Sequence, residues 1–261
     1  MNRNGPVALA YHTLFVAFML APILVVCFVA FTPEGYLSFP THTWSLRWFR
    51  AIARYPEFIA AFWRSLGLGA LSSAVAVAIS VPAALAIARH RFPGREAMSA
   101  LFMSPLMIPH IVLGVAFLRF FTQIGLGGTF AGLVLAHIVI VLPFALRLTL
   151  ASAIGLDRAI EHAAVSLGAS EWTVLRRITL PLLRPSLISA GLLAFISSFD
   201  ELVVALFLAG PNMTLPKKMF DNILMEIDPT IAAVSVMQIL LVSIVLVLIG
   251  RFGRGLRGSA R

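Results

Sequence analysis

Apolar and polar positions alternate along this chain in long blocks, not with the period of two that marks a half-buried strand. Six runs are apolar over the roughly 20 residues that one helix needs to cross a bilayer core. They lie at about 8–31, 66–88, 97–121, 128–150, 186–209 and 230–250. No two-residue alternation repeats, which argues against a transmembrane barrel. The pattern predicts an all-α, polytopic membrane protein with six transmembrane helices, organised as a single domain over 1–261 with a polar loop at about 151–185. Between the first two runs, residues 32–65 are too polar for lipid. Leu46, Trp48, Phe49, Ile52 and Phe58 among Arg47, Arg50 and Arg54 suggest an amphipathic helix along the membrane surface.

Composition supports the membrane reading and narrows the chemistry. The 261 residues are 60% hydrophobic and 12% charged, against about 25% charged in a soluble domain, and the mean hydropathy is +0.96. A net charge of +9 raises the question of nucleic acid. The basic residues are dispersed between the apolar runs, however, so they read as topology determinants facing lipid headgroups, and no nucleic-acid partner is expected. Cys27 is the single cysteine and sits inside an apolar run, so no intrachain disulfide forms. The six histidines show no metal-ligand spacing, and neither a metal nor another cofactor is expected. The N-terminal apolar run is too long for a cleavable signal and lacks a small-x-small site, so it is expected to persist as the first span.

With six spans both termini share one face with residues 89–96 and with the 151–185 loop. Thirteen of the 20 lysines and arginines fall on that face, including Arg89, Arg91, Arg176, Arg177 and the C-terminal arginines. The positive-inside rule makes it cytoplasmic.

Two runs contain polar interruptions. The run at 97–121 carries Pro105 and Pro109, each lacking a backbone donor and kinking or unwinding a helix. Broken helices in a membrane are tolerated against protein or a water-filled path, which makes His110 a candidate pathway residue. The alternative is a buried histidine bonded to a neighbouring helix. The run at 186–209 carries the adjacent carboxylates Asp200 and Glu201, each costing on the order of 2–4 kcal/mol there unless paired or hydrated. They mark either a function or a buried ion pair, with Arg119 and Arg147 as available partners.

The stretch from Leu156 to Pro185 is a polar, charged interruption between two spans. Asp157 suits the N-cap of a helix over Arg158 to Leu167, Gly168 the left-handed position that ends it, and Ser170 the cap of a second helix over Glu171 to Leu180, stopped by Pro181. Ala163, Ala164 and Ala169 are small enough for another surface to approach. Leu167, Trp172, Leu175 and Ile178 supply apolar area that a short loop cannot bury alone, which implies a partner.

This stretch carries a resemblance. HAAVSLGASEWTVLRRITLP looks like the EAA coupling loop of ABC-transporter importer permeases, matching at Ala163, Ala164, Leu167, Gly168, Ala169, Ile178, Leu180 and Pro181. The resemblance implies a cytoplasmic loop seated in a groove of an ATP-hydrolysing subunit, with Glu161, His162, Ala163, Ala164, Leu167, Gly168 and Ala169 at the contact. The family's glutamate falls on His162, with Glu161 one residue early. That shift turns a helical side chain by about 100°. WSLRWFRAI is similar to the family's first external loop. SFDELVVALFLAGPNMTLPKKMFDNI resembles the second permease of spermidine/putrescine importers, which implies a polyamine as substrate and Asp200 as the carboxylate on the path. Iron, opine, thiamine and amino-acid permeases are the alternatives within the family. The resemblance also implies a bacterial inner-membrane location, a dimer of ATP-binding subunits, a second homologous permease and a periplasmic substrate-binding protein.

The residues agree with a conduit driven from outside. A phosphate-binding loop needs Gly-Lys followed by Ser or Thr. The two lysines are Lys217 and Lys218, in Leu-Pro-Lys-Lys, and no GxSxG nucleophile is present. An ion-coupled secondary transporter using Asp200 and Glu201 is the reading from another class. It leaves the 156–185 loop unexplained and lacks an inverted repeat. The charge bias is directly testable. Cysteines placed in the loops at Gly94 and Gly210, with Cys27 removed, are expected to react with impermeant thiol reagents from opposite faces, and same-side labelling overturns the six-span arrangement.

Overall fold

A computed structural model describes residues 5–40, 43–225 and 228–258, and among these the regular structure is entirely helical. Arg3 and Arg261, counted in the charge bias, lie outside the described residues. The chain divides into two compact units, Met1–Ala60 with Lys218–Val245 and Ala61–Lys217 with Leu246–Arg261.

In the first unit α1 (Pro6–Val29) begins with proline in its first turn, where the missing N–H has no partner to lose. Only Val29 of α1 is buried, as suits a helix apolar on every side. The chain then folds back on itself. Trp48 Nε1 donates to the Thr32 carbonyl at 3.1 Å, and the Phe31 ring meets those of Trp44 and Phe49. The expected surface helix shortens to α2 (Arg47–Ile52), with Trp48 and Ile52 buried. Helix α3 (Pro56–Arg89) starts well before the apolar run at 66, because Pro56 and Glu57 make a favourable first turn. Lys218, on α11 (Leu215–Met225), pairs with Glu57 and lies 5.6 Å from the Phe58 ring centroid. The last apolar run lies on α12 (Thr230–Gly258).

The second unit takes in most of α3 and then α4 (Arg95–Met103), which tightens into a 3-10 turn at Ser104–Leu106. There follow α5 (His110–Gln123), α6 (Phe130–Ile154), α7 (Arg158–Ser166), α8 (Glu171–Val174), α9 (Leu180–Phe199) and α10 (Val203–Leu208). Its centre is α6, which packs along α9 over fully buried small residues, Ala136 and Ala145 on one helix and Ala190 and Ala194 on the other. Hydroxyls tie the helices where no water can. Ser80 and Thr149 are 3.2 Å apart between α3 and α6, and Ser186 of α9 donates to the Leu148 carbonyl at 3.0 Å.

Among the described residues, four helical stretches are long and apolar enough to span a membrane: Pro6–Val29, Pro56–Arg89, Phe130–Ile154 and Glu171–Phe199. A fifth forms if Arg95–Leu106 and His110–Gln123, which meet at 101°, are one span. On α12 the described apolar stretch is Thr230–Ile244. Two details differ from expectation. Pro181 does not stop its helix. Leu175–Thr179 forms a π turn, and the chain runs as one 29-residue helix through Pro181. The wider turn moves the preceding carbonyls away from the proline ring, and Pro181 has no N–H to leave unpaired. The run at 186–209 is also not continuous, because α9 ends at Phe199 and α10 begins at Val203.

Glycine geometry refines the labelling positions. Gly94 and Gly210 have φ of +82° and +50°, and a Cβ on Gly210 would lie 3.1 Å from the Gly128 Cα. Pro93 and Met213, in the same two loops, are the better sites for cysteine. A second packing constraint is sharper. A Cβ on Gly132 would meet the Leu126 carbonyl oxygen at 2.4 Å, whereas one on Gly67 meets nothing within 4 Å. Gly132→Ala is therefore expected to destabilise by about 1–3 kcal/mol, and Gly67→Ala to be neutral or mildly stabilising. Thermal unfolding of the detergent-solubilised protein distinguishes them.

Candidate functional site

The two interrupted helices of the second unit bring their breaks together. At the first, Pro109 is extended, with ψ 132°, and His110 opens α5. At the second, Asp200 caps the end of α9 and Glu201 occupies the gap before α10. His110 Nδ1 lies 2.8 Å from Glu201 Oε2. The other carboxylate oxygen of Glu201 accepts the Val204 N–H at 3.0 Å. One buried carboxylate thus caps the start of α10 and ties it to the start of α5. The partner of Glu201 is His110, not Arg119 or Arg147, both of which are exposed. Gly114 permits the contact, since a Cβ there would sit 2.5 Å from Phe207 Cδ2.

Of the residues expected on a path, His110 and Glu201 meet directly. Asp200 adjoins them with its side chain on the exposed side of the break, while Glu201 is only 8% exposed. Asp200 and Glu201 do not lie on one continuous helix, because α9 ends at Phe199 and α10 begins at Val203. The carbonyl end of α9 adds negative potential beside Asp200, which makes the exposed side of this break attractive to a cation.

The sequence reading missed a second polar pair. His137, fully buried on α6, lies 2.8 Å through Nδ1 from Ser198 Oγ on α9, and its Nε2 has no partner among the described residues. The Glu201 N–H in turn donates to the Ser198 carbonyl at 3.4 Å. Polar groups therefore continue from the break into the α6–α9 seam. The signal in the sequence was a lone histidine within an apolar run, too weak without its partner 61 residues away.

The second cluster is the loop from Asp157 to Thr179. Asp157 accepts the Ala159 N–H at 2.9 Å, Ser170 accepts that of Thr173 at 3.3 Å, and Gly168 has φ +89°. The result is a capped helix, a glycine elbow and a second capped helix. Leu167 is 89% exposed and Trp172 68%. His162, Ala163 and Gly168 are exposed, and Ala164 and Ala169 half-buried. Glu161 alone of the expected contact residues turns inward, where it meets Arg89 and Thr179.

Comparison with known proteins identifies the family. Residues 76–258 match the family described as the inner membrane component of binding-protein-dependent transport systems. The chain belongs to this family. The permease is 30% identical over 234 residues, covering 89% of this chain and 90% of the relative, to the spermidine/putrescine transport system permease protein PotC of Haemophilus influenzae. It is 31% identical over 236 residues, covering 87% and 84%, to the putrescine transport system permease protein PotI of Escherichia coli K12. A chain of a bacterial ABC transporter involved in import of the acidic polysaccharide alginate shares the fold, with a TM-score of 0.73 at 17% identity over 97% of this chain and 98% of that one. The permease is thus a multi-pass inner-membrane component of an ABC importer.

The break geometry has a measurable consequence. Glu201→Ala leaves the Val204 N–H and the His110 ring without their acceptor and is expected to cost about 1–3 kcal/mol. Glu201→Gln retains an acceptor for Val204 and is expected to cost less. Thermal unfolding in detergent compares them.

Proposed function

We propose that this permease forms half of the translocation path of a polyamine importer, with spermidine or putrescine as the moving cation. The observation that carries the reading is the acidic break: Asp200 on its exposed side, at the carbonyl end of α9, beside a Glu201 already engaged by His110. An ammonium passing such a point meets a carboxylate that attracts it in a partly dry setting, without the deep burial that would trap it. The names of the relatives at 30–31% identity agree with this class of substrate.

The apolar crown of the α7–Gly168–α8 elbow is the surface for an ATP-binding subunit, one of a pair. A homologous permease completes the path, and a periplasmic substrate-binding protein delivers the cation. Both termini and the elbow face the cytoplasm, as the arginine bias indicates. ATP-driven closure of the nucleotide-binding subunits displaces the elbow and rocks the helices that carry the two breaks, which opens the path to each side in turn.

Uptake of radiolabelled spermidine by cells or proteoliposomes tests the substrate. Asp200→Asn keeps shape and removes charge, and is expected to lower uptake about tenfold, the loss of one charge-assisted contact, with assembly and basal ATP hydrolysis retained. Unchanged uptake in both Asp200→Asn and Glu201→Gln removes the case for a cationic substrate. Uptake driven by an ion gradient without ATP would instead support secondary transport. Gly168→Leu, at a φ that disfavours any side chain, is expected to insert normally yet lose the ATPase on copurification.

A further inference from the structure

Glu161 is the one charged residue of the elbow that faces away from any docking partner, and its surroundings are specific. A single carboxylate oxygen receives Arg89 Nη2 at 2.5 Å and Thr179 Oγ1 at 2.5 Å. The Glu161 and Arg89 side chains are only 11% and 18% exposed. The three residues come from separate elements. Arg89 is the last residue of α3, Glu161 lies in the first turn of α7, and Thr179 closes the π turn that leads into α9. Each charge suits its helix end, since a cation is favoured at the C-terminus of α3 and an anion at the N-terminus of α7. The apolar ground next to this knot joins the same helices. Ala84 and Ile87 of α3, Leu146 and Ala153 of α6 and Leu183 of α9 form one buried cluster, and Leu156, just before α7, packs against it.

Helix α7 therefore has two faces with different tasks. One presents Ile160, Val165 and, at its end, Leu167 to the outside. The other is fastened through Glu161. The connections on either side of α7 each run through a glycine, Gly155 ending α6 and Gly168 at the elbow, and glycine resists backbone rotation least. Without a fastening, a push on the outer face would be absorbed by rotation about those two glycines. We propose that Arg89, Glu161 and Thr179 form a clamp that converts displacement of α7 into displacement of α3 and α9. They are positioning residues for coupling, distinct from the residues that bind the ATPase. The proposal rests on the reading above that the outer face of α7 docks an ATP-binding subunit.

The test uses the assembled complex in proteoliposomes and reads a quantity that does not depend on the identity of the substrate: stimulation of ATP hydrolysis by the binding protein. This signal must pass through the permease, and a merely structural role would not move it selectively. In Arg89→Met and Thr179→Val the ATPase is expected to copurify at the wild-type level with basal hydrolysis retained, while stimulation falls about tenfold, within the usual range of coupling between sites. Arg89→Glu alone is expected to abolish stimulation, and combining it with Glu161→Arg, which restores the pair in reverse, to recover much of it. Unchanged stimulation in both Arg89→Met and Thr179→Val overturns the clamp. So does loss of the ATPase that the reversed pair fails to recover, because the cluster would then serve only to shape the docking surface. A wild-type complex that retains no ATPase overturns the docking reading itself, a result distinguishable from either.

Discussion

Hydrocarbon offers no hydrogen bonds to a backbone, so a helix cannot be interrupted within a membrane unless protein groups replace what the break exposes. An unsatisfied polar group in such a setting costs several kcal/mol. Glu201 meets this constraint twice, capping α10 through one oxygen and holding His110 at the head of α5 through the other. The carboxylate that looks expensive in an apolar run is what makes the interruption sustainable. The same economy recurs at Ser198, whose hydroxyl serves His137 while its carbonyl takes the Glu201 N–H.

The chain segregates its polar investments. Where spans must stay packed, it uses small residues and hydroxyls, as along the α6–α9 seam. Where a span is broken, it uses ionisable groups. Where the chain leaves the spans, at the elbow, the caps are local and the apolar side chains point outward. Membrane helices gain little from hiding apolar surface from lipid, so specific polar and close-packing contacts set their arrangement. An apolar crown on a hydrophilic loop therefore stands out more sharply than it would on a soluble protein.

What was legible in the sequence was local. Asp157, Gly168 and Ser170 could be assigned as caps because each acts within three residues of itself. The break at Pro109 was legible because proline carries its own consequence. The gap at Glu201 was not, since no helix breaker stands there and its cap is a side chain whose other partner lies on α5. The inward turn of Glu161 was equally hidden, because Arg89 is 72 residues away. The apolar runs marked where the long helices lie but not the reach of α3, where Pro56 and Glu57 extend the helix beyond the hydrophobic signal.

The π turn at Leu175–Thr179 has a consequence for how such a chain can evolve. A π turn holds one residue more than the α-helix around it, so it sets the angular phase between the elbow and α9. Deleting that residue would restore a regular helix yet swing everything before it by about 100° about the axis, while bringing Pro181 back against a carbonyl. Single-residue insertions and deletions within these five positions are thus barred unless a compensating change occurs elsewhere. Substitutions that preserve length remain open, and the segment is expected to vary in composition across descendants while its spacing stays frozen.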